Sequence, residues 1–597
     1  MANDTIITRF QDRASRHSDD AVWHKFANGS WQATTWSQAR SWVEEIAAGL
    51  MALGVESGDR IGLVGANDPA WLATDYGIQH SGAVGVPLYN TLSTDQTSYV
   101  LGHAGTRALF VDNQEQLDKA LASNIPNVSK IIAHHLGDAD RGRVLGTDRL
   151  REMGRQWAAD NIGALTERMN SVTGDDIFSI IYTSGTTGPP KGTVLTQANI
   201  VWTLDSALER LGLTNPVEHV ISYLPLSHIF ERLTTSGAGL SSANNRFEYY
   251  FVPELPMLPD ALKHARPTFF VGVPRVWEKF EARIKAEVAE TPKVRQRLFN
   301  WATTAGIDAI RIRDEGGRSG PGTSLGAKVA AKVVGKKVFG ELGLDRCHYA
   351  VSGAAPLAPD VQRFFQGIGL PLHQGWGMTE TTAACTVQGP SDLHVGSVGQ
   401  PLGGVELKLE DDGEIKVKGP NIFQGYYDQP EQTEEALGKD GWLSTGDIGE
   451  LTADGSVRIV DRKKDIIITA GGKNIAPQEI EARLKADGLI GEAIVIGDQK
   501  PFLVSLISLD PDEVRAFLHH HGVEPKTDAE LYKHPMVLDH TEKVVEGVNA
   551  QFSRAESVRK WSIIDGGFPG EALTPTLKLK RSVVNSLFSD EIEALYT

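Results

Sequence analysis

Short β-rich runs separated by helical stretches recur through most of this 597-residue chain, and they restrict its fold more than any other feature. Ile61–Val64, Arg107–Val111, Lys130–Ala133, Ile177–Tyr182, Thr268–Val271 and Cys347–Val351 read as buried strands. Helical periods such as Thr196–Leu211 and Trp277–Glu287 lie between them. Strands joined through helices run parallel, and a parallel sheet needs cover on both faces. The expected class is therefore α/β, with a large N-terminal lobe of doubly wound sheets. The pattern changes near Val405, where VELKLEDDGEIKVKG alternates apolar and polar residues about Asp-Gly. That is the signature of an antiparallel hairpin, so the lobe should end in a small β unit. Beyond the charged run DRKKD (Asp461–Asp465), Pro477–Lys485 reads as a helix and Ala493–Ile496 with Phe502–Ser508 as a hairpin. These breaks predict a lobe over residues 1–460, a hinge at 461–465 and a small mobile α+β domain over 466–597. Glu315–Thr323 is Gly-rich and predicts a surface loop.

The charge balance narrows the partners. There are 59 Lys and Arg against 76 Asp and Glu, a net charge of −17. Such a chain has no general affinity for nucleic acid, which requires basic surface to displace counterions. A local basic patch still permits peripheral contact with a membrane. A polyanionic ligand must be met by individually placed Lys, Arg, metal or backbone N–H groups. The two cysteines, Cys347 and Cys385, rule out a disulfide framework and fit a reducing cytosol as packing thiols. MANDTIITRF lacks the pattern of a secretory signal, and no apolar run approaches the roughly 18 residues a spanning helix needs. The expected location is cytoplasmic, with the membrane surface as the only membrane contact. The triplet His519–His521 does not suit a metal, because adjacent helical side chains diverge by about 100°.

The strongest local signal is YTSGTTGPPKG, Tyr182–Gly192. Thr183, Ser184, Thr186 and Thr187 surround Gly185 and Gly188, and Lys191 follows. Glycines let backbone approach a phosphate, hydroxyls donate hydrogen bonds and the lysine adds positive charge. The loop leads into a further β run, Thr193–Leu195, and not into a helix after Gly-Lys-Ser/Thr, so it differs from a Walker loop.

This loop resembles the phosphate-binding signature of the adenylate-forming superfamily of acyl-CoA synthetases, peptide-synthetase adenylation domains and luciferases. Further similar motifs follow in order: YLPLSHIFER (Tyr223–Arg232), VSGAAPL (Val351–Leu357), HQGWGMTET (His373–Thr381), DGWLSTGDIG (Asp440–Gly449), DRKKDIIITAGGKNIAP (Asp461–Pro477) and LTPTLKLKR (Leu573–Arg581). The PLSHIFER, GWLSTGDIG and DRKKD forms look most like the long-chain fatty acyl-CoA synthetase branch. The resemblance implies a ligase using ATP, Mg²⁺ and coenzyme A: the acid becomes an acyl-adenylate with release of pyrophosphate, then passes to the thiol.

By the same resemblance, Thr183–Gly188 and Lys191 cradle the β- and γ-phosphates, and Glu380 with Thr183 holds Mg²⁺, an ion that prefers oxygen ligands. Gly353, Ala354, Ala355, Gly375, Trp376, Gly377, Met378 and Thr379 line the adenine and α-phosphate pocket, with Trp376 as a packing wall. Asp447 accepts from the ribose hydroxyls and Arg462 assists at ribose or phosphate. Taken singly, Glu380 and Asp447 would equally suit capping or turn positions. His228 is placed between the acyl and phosphate sites. Lys578 is the lysine expected to bridge acid and α-phosphate, although Leu577 stands where many relatives carry Gly, so Lys580 stays open as the alternative. Lys464 falls at the pivot, and Gly471 and Gly472 border the coenzyme A channel.

The chemistry explains the parts. An anionic carboxylate must approach a polyanionic nucleotide, and two like charges about 4 Å apart repel by roughly 4 kcal/mol at an effective dielectric near 20. Two other readings share the nucleotide site: an acyl-AMP ligase that delivers to a carrier protein, and a non-catalytic adenylate or lipid sensor.

Overall fold

The computed structural model describes residues 4–183, 189–213, 215–241, 245–524, 527–574 and 578–597. Among them, two nine-stranded sheets form the body of the lobe. In one, Arg60–Val64, Val84–Leu88, Ala108–Val111, Lys130–Ala133 and Val144–Gly146 run parallel, and Ile177–Thr183 joins beside Val84–Leu88. In the other, Val217–Ser222 and Arg246–Phe251 pair in parallel, as do Phe269–Gly272, Tyr349–Ser352 and Leu372–Trp376. Both carry antiparallel strands at their edges. The doubly wound expectation therefore describes the centre of each sheet.

Between the sheets lies the helix Pro69–His80, in which every residue except Ala70 is buried. A helix covered all round has no polar face, so the groups it carries must find partners inside the protein. Asp75 does so in an ion pair with Arg232, the two side chains being 2% and 1% exposed. The Arg232 Nε donates to Asp75 Oδ2 at 3.0 Å and Nη1 to Ser179 Oγ at 2.6 Å, while the guanidinium lies 4.2 Å from the centroid of Phe178. Ser179 Oγ in turn donates to the Gly85 carbonyl at 2.7 Å. One guanidinium thus joins the central helix, the strand Ile177–Thr183 and the short helix Ile229–Arg232.

The hairpin about Asp-Gly forms as Glu406–Leu409 paired with Glu414–Lys418, within a four-stranded antiparallel sheet completed by Leu443–Leu451 and Val457–Arg462. After it, the helix Pro477–Lys485 packs on a three-stranded sheet in which Ile490–Ile496 is antiparallel to Leu503–Leu509, and Val558–Ile563 is parallel to it. The Gly-rich segment is a loop only as far as Gly320, because Pro321 opens the helix Pro321–Val329. Proline suits a first helical position, where its missing N–H costs nothing. Burial pushes both cysteine thiols up to about 12, as packing residues require. No helix among the described residues is long and apolar enough to cross a membrane.

Removing one partner of a buried ion pair leaves an uncompensated charge, at a cost of about 3–5 kcal/mol. Arg232→Met should therefore lower the unfolding temperature clearly in calorimetric scans at fixed rate, and adding Asp75→Leu to it should restore most of the loss. A double variant as unstable as the single one would show that the pair acts by something other than compensating charge.

Candidate active site

The strands Ile177–Thr183 and Lys191–Thr196 are antiparallel neighbours, and their register sets Thr183 opposite Lys191. The phosphate loop is therefore closed at its base by these two residues; Ser184, Gly185, Thr186, Thr187 and Gly188 lie outside the described residues. Lys191–Thr196 also pairs with Gly425–Tyr426, which brings Thr193 opposite Tyr426. The Lys191 ammonium stands 4.8 Å from the centroid of the Tyr426 ring. The hydroxyl of the same tyrosine donates to Glu380 Oε1 at 2.7 Å. Glu380 is buried in the turn Thr379–Thr381, whose backbone is tied down by Phe423 N–H donating to the Glu380 carbonyl at 2.9 Å. One tyrosine thus touches both the lysine and the carboxylate assigned to phosphate and metal. It stands in GYYDQ, a stretch that carries no recognised motif.

A second cluster forms on the antiparallel strands Leu443–Leu451 and Val457–Arg462, where Asp447 is directly opposite Arg462. The Arg462 Nε lies 2.6 Å from Asp447 Oδ1, and Trp376 Nε1 donates to Asp447 Oδ2 at 2.8 Å. Trp376, expected as a packing wall, is also the donor that aims the carboxylate. Burial raises the Asp447 pKa, and the Arg462 charge works against that rise. A carboxylate has capacity for further donors beyond these two.

Small residues at this cleft answer to close approaches. A Cβ at Gly377 would fall 2.2 Å from the Ala383 carbonyl oxygen, one at Gly375 2.8 Å from Val387 Cγ2, and one at Gly353 3.0 Å from the Phe230 ring. Ala354 has φ of +67°, an uncommon conformation for a residue with a side chain. Its carbonyl oxygen accepts from Lys578 Nζ at 2.6 Å. The Lys578 carbonyl accepts from the Thr574 N–H at 2.8 Å, whereas Lys580 Nζ donates to the Glu571 carbonyl at 3.2 Å. Although Lys578 is exposed as a residue, its ammonium sits among protein groups. Desolvation, then the nearby Arg462 charge, push its pKa down to about 8.

His228 caps the helix Ile229–Arg232, with its Nδ1 accepting the Phe230 N–H at 3.2 Å. Desolvation, then the Lys578 charge, lower its pKa to about 4, so the ring is neutral at physiological pH. With Nδ1 engaged as an acceptor, the proton of the neutral ring resides on Nε2. Lys464 is exposed next to the strand Val457–Arg462, and Gly471 and Gly472 form an exposed turn whose Gly472 has φ of +75°. A Cβ at Gly472 would meet nothing within 4 Å, so this turn stands apart from both clusters.

Residues 10–427 match the family model described as AMP-binding enzyme, and residues 464–597 match the AMP-binding enzyme C-terminal domain. This chain belongs to the AMP-binding enzyme family. It is 35% identical to the long-chain-fatty-acid–CoA ligase FadD15 of Mycobacterium bovis, over 100% of this chain and 97% of the relative. It is 32% identical to the long-chain-fatty-acid–CoA ligase ACSBG2 of Mus musculus, over 99% of this chain and 93% of that protein. Among solved structures, the adenylation domain of a carboxylate reductase from Mycobacterium chelonae shares the fold with a TM-score of 0.74 at 20% identity, covering 99% of this chain and 91% of that one. AMP-binding enzymes that ligate fatty acids to coenzyme A use ATP, Mg²⁺ and the thiol as co-substrate.

The residues present suit such a metal. Mg²⁺ can be held by one carboxylate together with a nucleotide's own phosphates. Glu380 offers its second oxygen for that purpose, since Tyr426 occupies only Oε1.

A hydrogen bond to a charged group is worth about 1.5–3 kcal/mol. Tyr426→Phe should therefore raise the Mg²⁺ concentration needed for half-maximal adenylation by about tenfold or more, with the fold intact by circular dichroism. An unchanged Mg²⁺ dependence would mean that the tyrosine does not orient Glu380.

Proposed function

We infer that this protein is an ATP-dependent long-chain fatty acid–CoA ligase that carries out two half-reactions in one cleft. The observation that carries the reading is the contact between Lys578 and the Ala354 carbonyl, which joins the end of the chain to the lobe that holds Asp447, Trp376 and Glu380. In the first half-reaction a carboxylate oxygen bonds to the α-phosphorus as the α–β anhydride breaks and pyrophosphate leaves. Glu380 and Thr183 would hold Mg²⁺, which would supply positive charge against the phosphates. Lys191 faces the phosphates from the base of the loop, and Asp447 with Arg462 fixes the ribose. The Lys578 ammonium, held now by a backbone carbonyl, turns to the oxygen anions of acid and α-phosphate when substrates enter. His228 donates from neutral Nε2 and adds no charge, a role that positions an anion without carrying a proton across.

In the second half-reaction the thiol sulfur bonds to the acyl carbon and AMP leaves. No pyrophosphate remains to be neutralised, so Lys578 is no longer required. The small domain is proposed to pivot at Lys464, withdrawing Lys578 and turning Gly471 and Gly472 toward the cleft, where they would border the pantetheine arm. Their exposed turn in the present arrangement is what an unused channel wall would look like. The protein is further read as acting at the surface of a membrane, where its acid substrate partitions.

Lys578→Ala should abolish acyl-AMP formation and largely spare thioester formation from supplied acyl-AMP; equal loss in both steps would remove the pivot along with the lysine's role. Protonated Lys578 is the working form, so kcat/KM for acid-dependent pyrophosphate exchange, which reports the free enzyme, should be level below about 8 and fall above it. Thioester formation from acyl-AMP should not share that fall. A profile level well beyond that pH would exclude the Lys578 charge from adenylation.

A further inference from the structure

The helix Lys293–Asp314 has 22 residues, of which only Ala302, Thr303 and Gly306 are buried. Val294, Leu298, Ala302 and Gly306 recur every fourth residue and so share one face. The C-terminal half of that stripe is seated on the lobe: a Cβ at Gly306 would fall 2.1 Å from the Gly367 carbonyl oxygen. The N-terminal half is only partly covered among the described residues. Val294 is 77% exposed and Leu298 45%, and Trp301, one turn on, is 47% exposed. The next helix, Pro321–Val329, lies against the same ring, since a Cβ at Gly326 would be 3.4 Å from Trp301 Cζ2, and its Leu325 is 60% exposed.

Charge around this apolar face is mostly positive. Residues 293–337 hold ten Lys and Arg against three Asp and Glu, a net +7 in a chain whose total is −17. Lys293, Arg295, Arg297, Lys328, Lys332 and Lys336 are all exposed, and none is paired with an acidic side chain among the described residues. Long basic side chains can lay their stems along apolar surface while the heads reach outward, and tryptophan favours the boundary between hydrocarbon and headgroup. A second copy of the chain would be a poor occupant, because a two-fold interface sets the same patch against itself and would oppose like charges. A nucleic acid would satisfy the cations and leave the aliphatic side chains exposed.

We propose that the protruding face of Lys293–Asp314, with the adjoining Pro321–Val329 helix, is the surface by which the protein docks on anionic lipid bilayers. Val294, Leu298, Trp301 and Leu325 enter the headgroup boundary while the flanking lysines and arginines engage lipid phosphates. The proposal rests on the reading that the protein works at a membrane surface and assigns that contact to one place in the fold.

The test is co-sedimentation of the full-length protein with phosphatidylcholine vesicles, with and without phosphatidylglycerol. Wild type should bind the anionic vesicles, with affinity falling as salt rises. The combined variant Val294→Ser, Leu298→Ser, Trp301→Ser should lose at least about tenfold in partitioning. Lys293→Glu, Arg295→Glu, Arg297→Glu should remove the dependence on phosphatidylglycerol. Both should form acyl-CoA from a dispersed medium-chain acid at the wild-type rate, which verifies that they fold. Vesicle binding by both variants at the wild-type level would overturn the assignment and leave the membrane reading standing. Failure of wild type to bind either vesicle would overturn both. A wild-type dimer in sedimentation equilibrium that these variants dissociate would replace the bilayer by a second copy of the chain.

Discussion

A guanidinium placed where water does not reach it dictates much of what surrounds it. Arg232 can be buried between two sheets only because Asp75 neutralises it, Ser179 accepts from it and Phe178 stacks against it. Asp75 belongs to the central helix and Ser179 and Phe178 to one strand, so the requirement for compensation becomes a requirement on geometry. The central helix must present Asp75 at that height, and the strand Ile177–Thr183 must present Ser179. That strand ends at Thr183, where the phosphate loop begins, and the helix that carries Arg232 is capped by His228. The loop base and the neutral imidazole are therefore set in place from the same buried charge. A hydrophobic replacement of the pair could match its stability but would give up this three-way alignment.

The surface of the protein repels the anions that its cleft must hold. With a net charge of −17, the long-range field gives a nucleotide no help, and binding depends on cations placed singly. Each cation proposed for that task is positioned by a neighbour. Lys191 lies over the Tyr426 ring, Arg462 is opposite Asp447, and Lys578 is held by the Ala354 carbonyl. The last of these is the least settled electrostatically: losing water without a carboxylate partner of its own brings Lys578 down to about 8. An anion arriving between Lys578 and Arg462 would restore the charge balance. Substrate and lysine then stabilise each other, which is the behaviour expected of a group whose charge matters in one step and not the other.

Elements specified by local pattern were legible in the sequence. The strand Lys130–Ala133 and the helix Pro477–Lys485 occupy the residues read for them, and the hairpin about Asp-Gly pairs as its turn chemistry requires. Asp447 and Arg462 stand opposite one another because the antiparallel strands that carry them are in register. What the sequence did not disclose depends on contacts between distant segments. Pro69–His80 has no amphipathic stripe, since it is covered on all sides, and nothing local marks Asp75 as buried. Tyr426 reaches Glu380 and Lys191 only because Gly425–Tyr426 pairs with Thr193–Val194. Lys578 and Lys580 share parity on an extended segment, so alternation cannot separate them. Only the contacts of the folded chain separate them: Lys578 Nζ donates to the Ala354 carbonyl and Lys580 Nζ to the Glu571 carbonyl.

The contacts between lobe and small domain bear on how one cleft could serve two reactions. Beyond Lys578, the helix Pro274–Ala289 meets the small domain through polar groups: Lys279 with Asp510 at 3.1 Å, and Arg275 with Asp510 and the Lys485 carbonyl at 3.4 Å. His520 faces Glu290 at 3.0 Å in the same region. Pairs of this kind exchange readily for water, and each contributes little because its partners are partly solvated. The small domain's own core is separate, built from residues such as Ile480, Leu484, Val495, Leu503 and Ile507. Turning it relative to the lobe would therefore break polar contacts and leave that hydrophobic packing whole. At the junction, Asp461 accepts from the Gln478 and Arg462 N–H groups at 2.9 and 2.6 Å, and burial raises its pKa to about 7. The Asp461 bond to Gln478, the Asp465 and Ile466 N–H groups donating to the Arg462 carbonyl at 2.9 and 3.2 Å, and Ala486 packed on the lobe's core all cross the proposed pivot, so a rotation at Lys464 would exchange these along with the solvated ion pairs. A rearrangement confined to such contacts would let both arrangements be populated, as the proposed alternation between adenylation and thiol transfer requires.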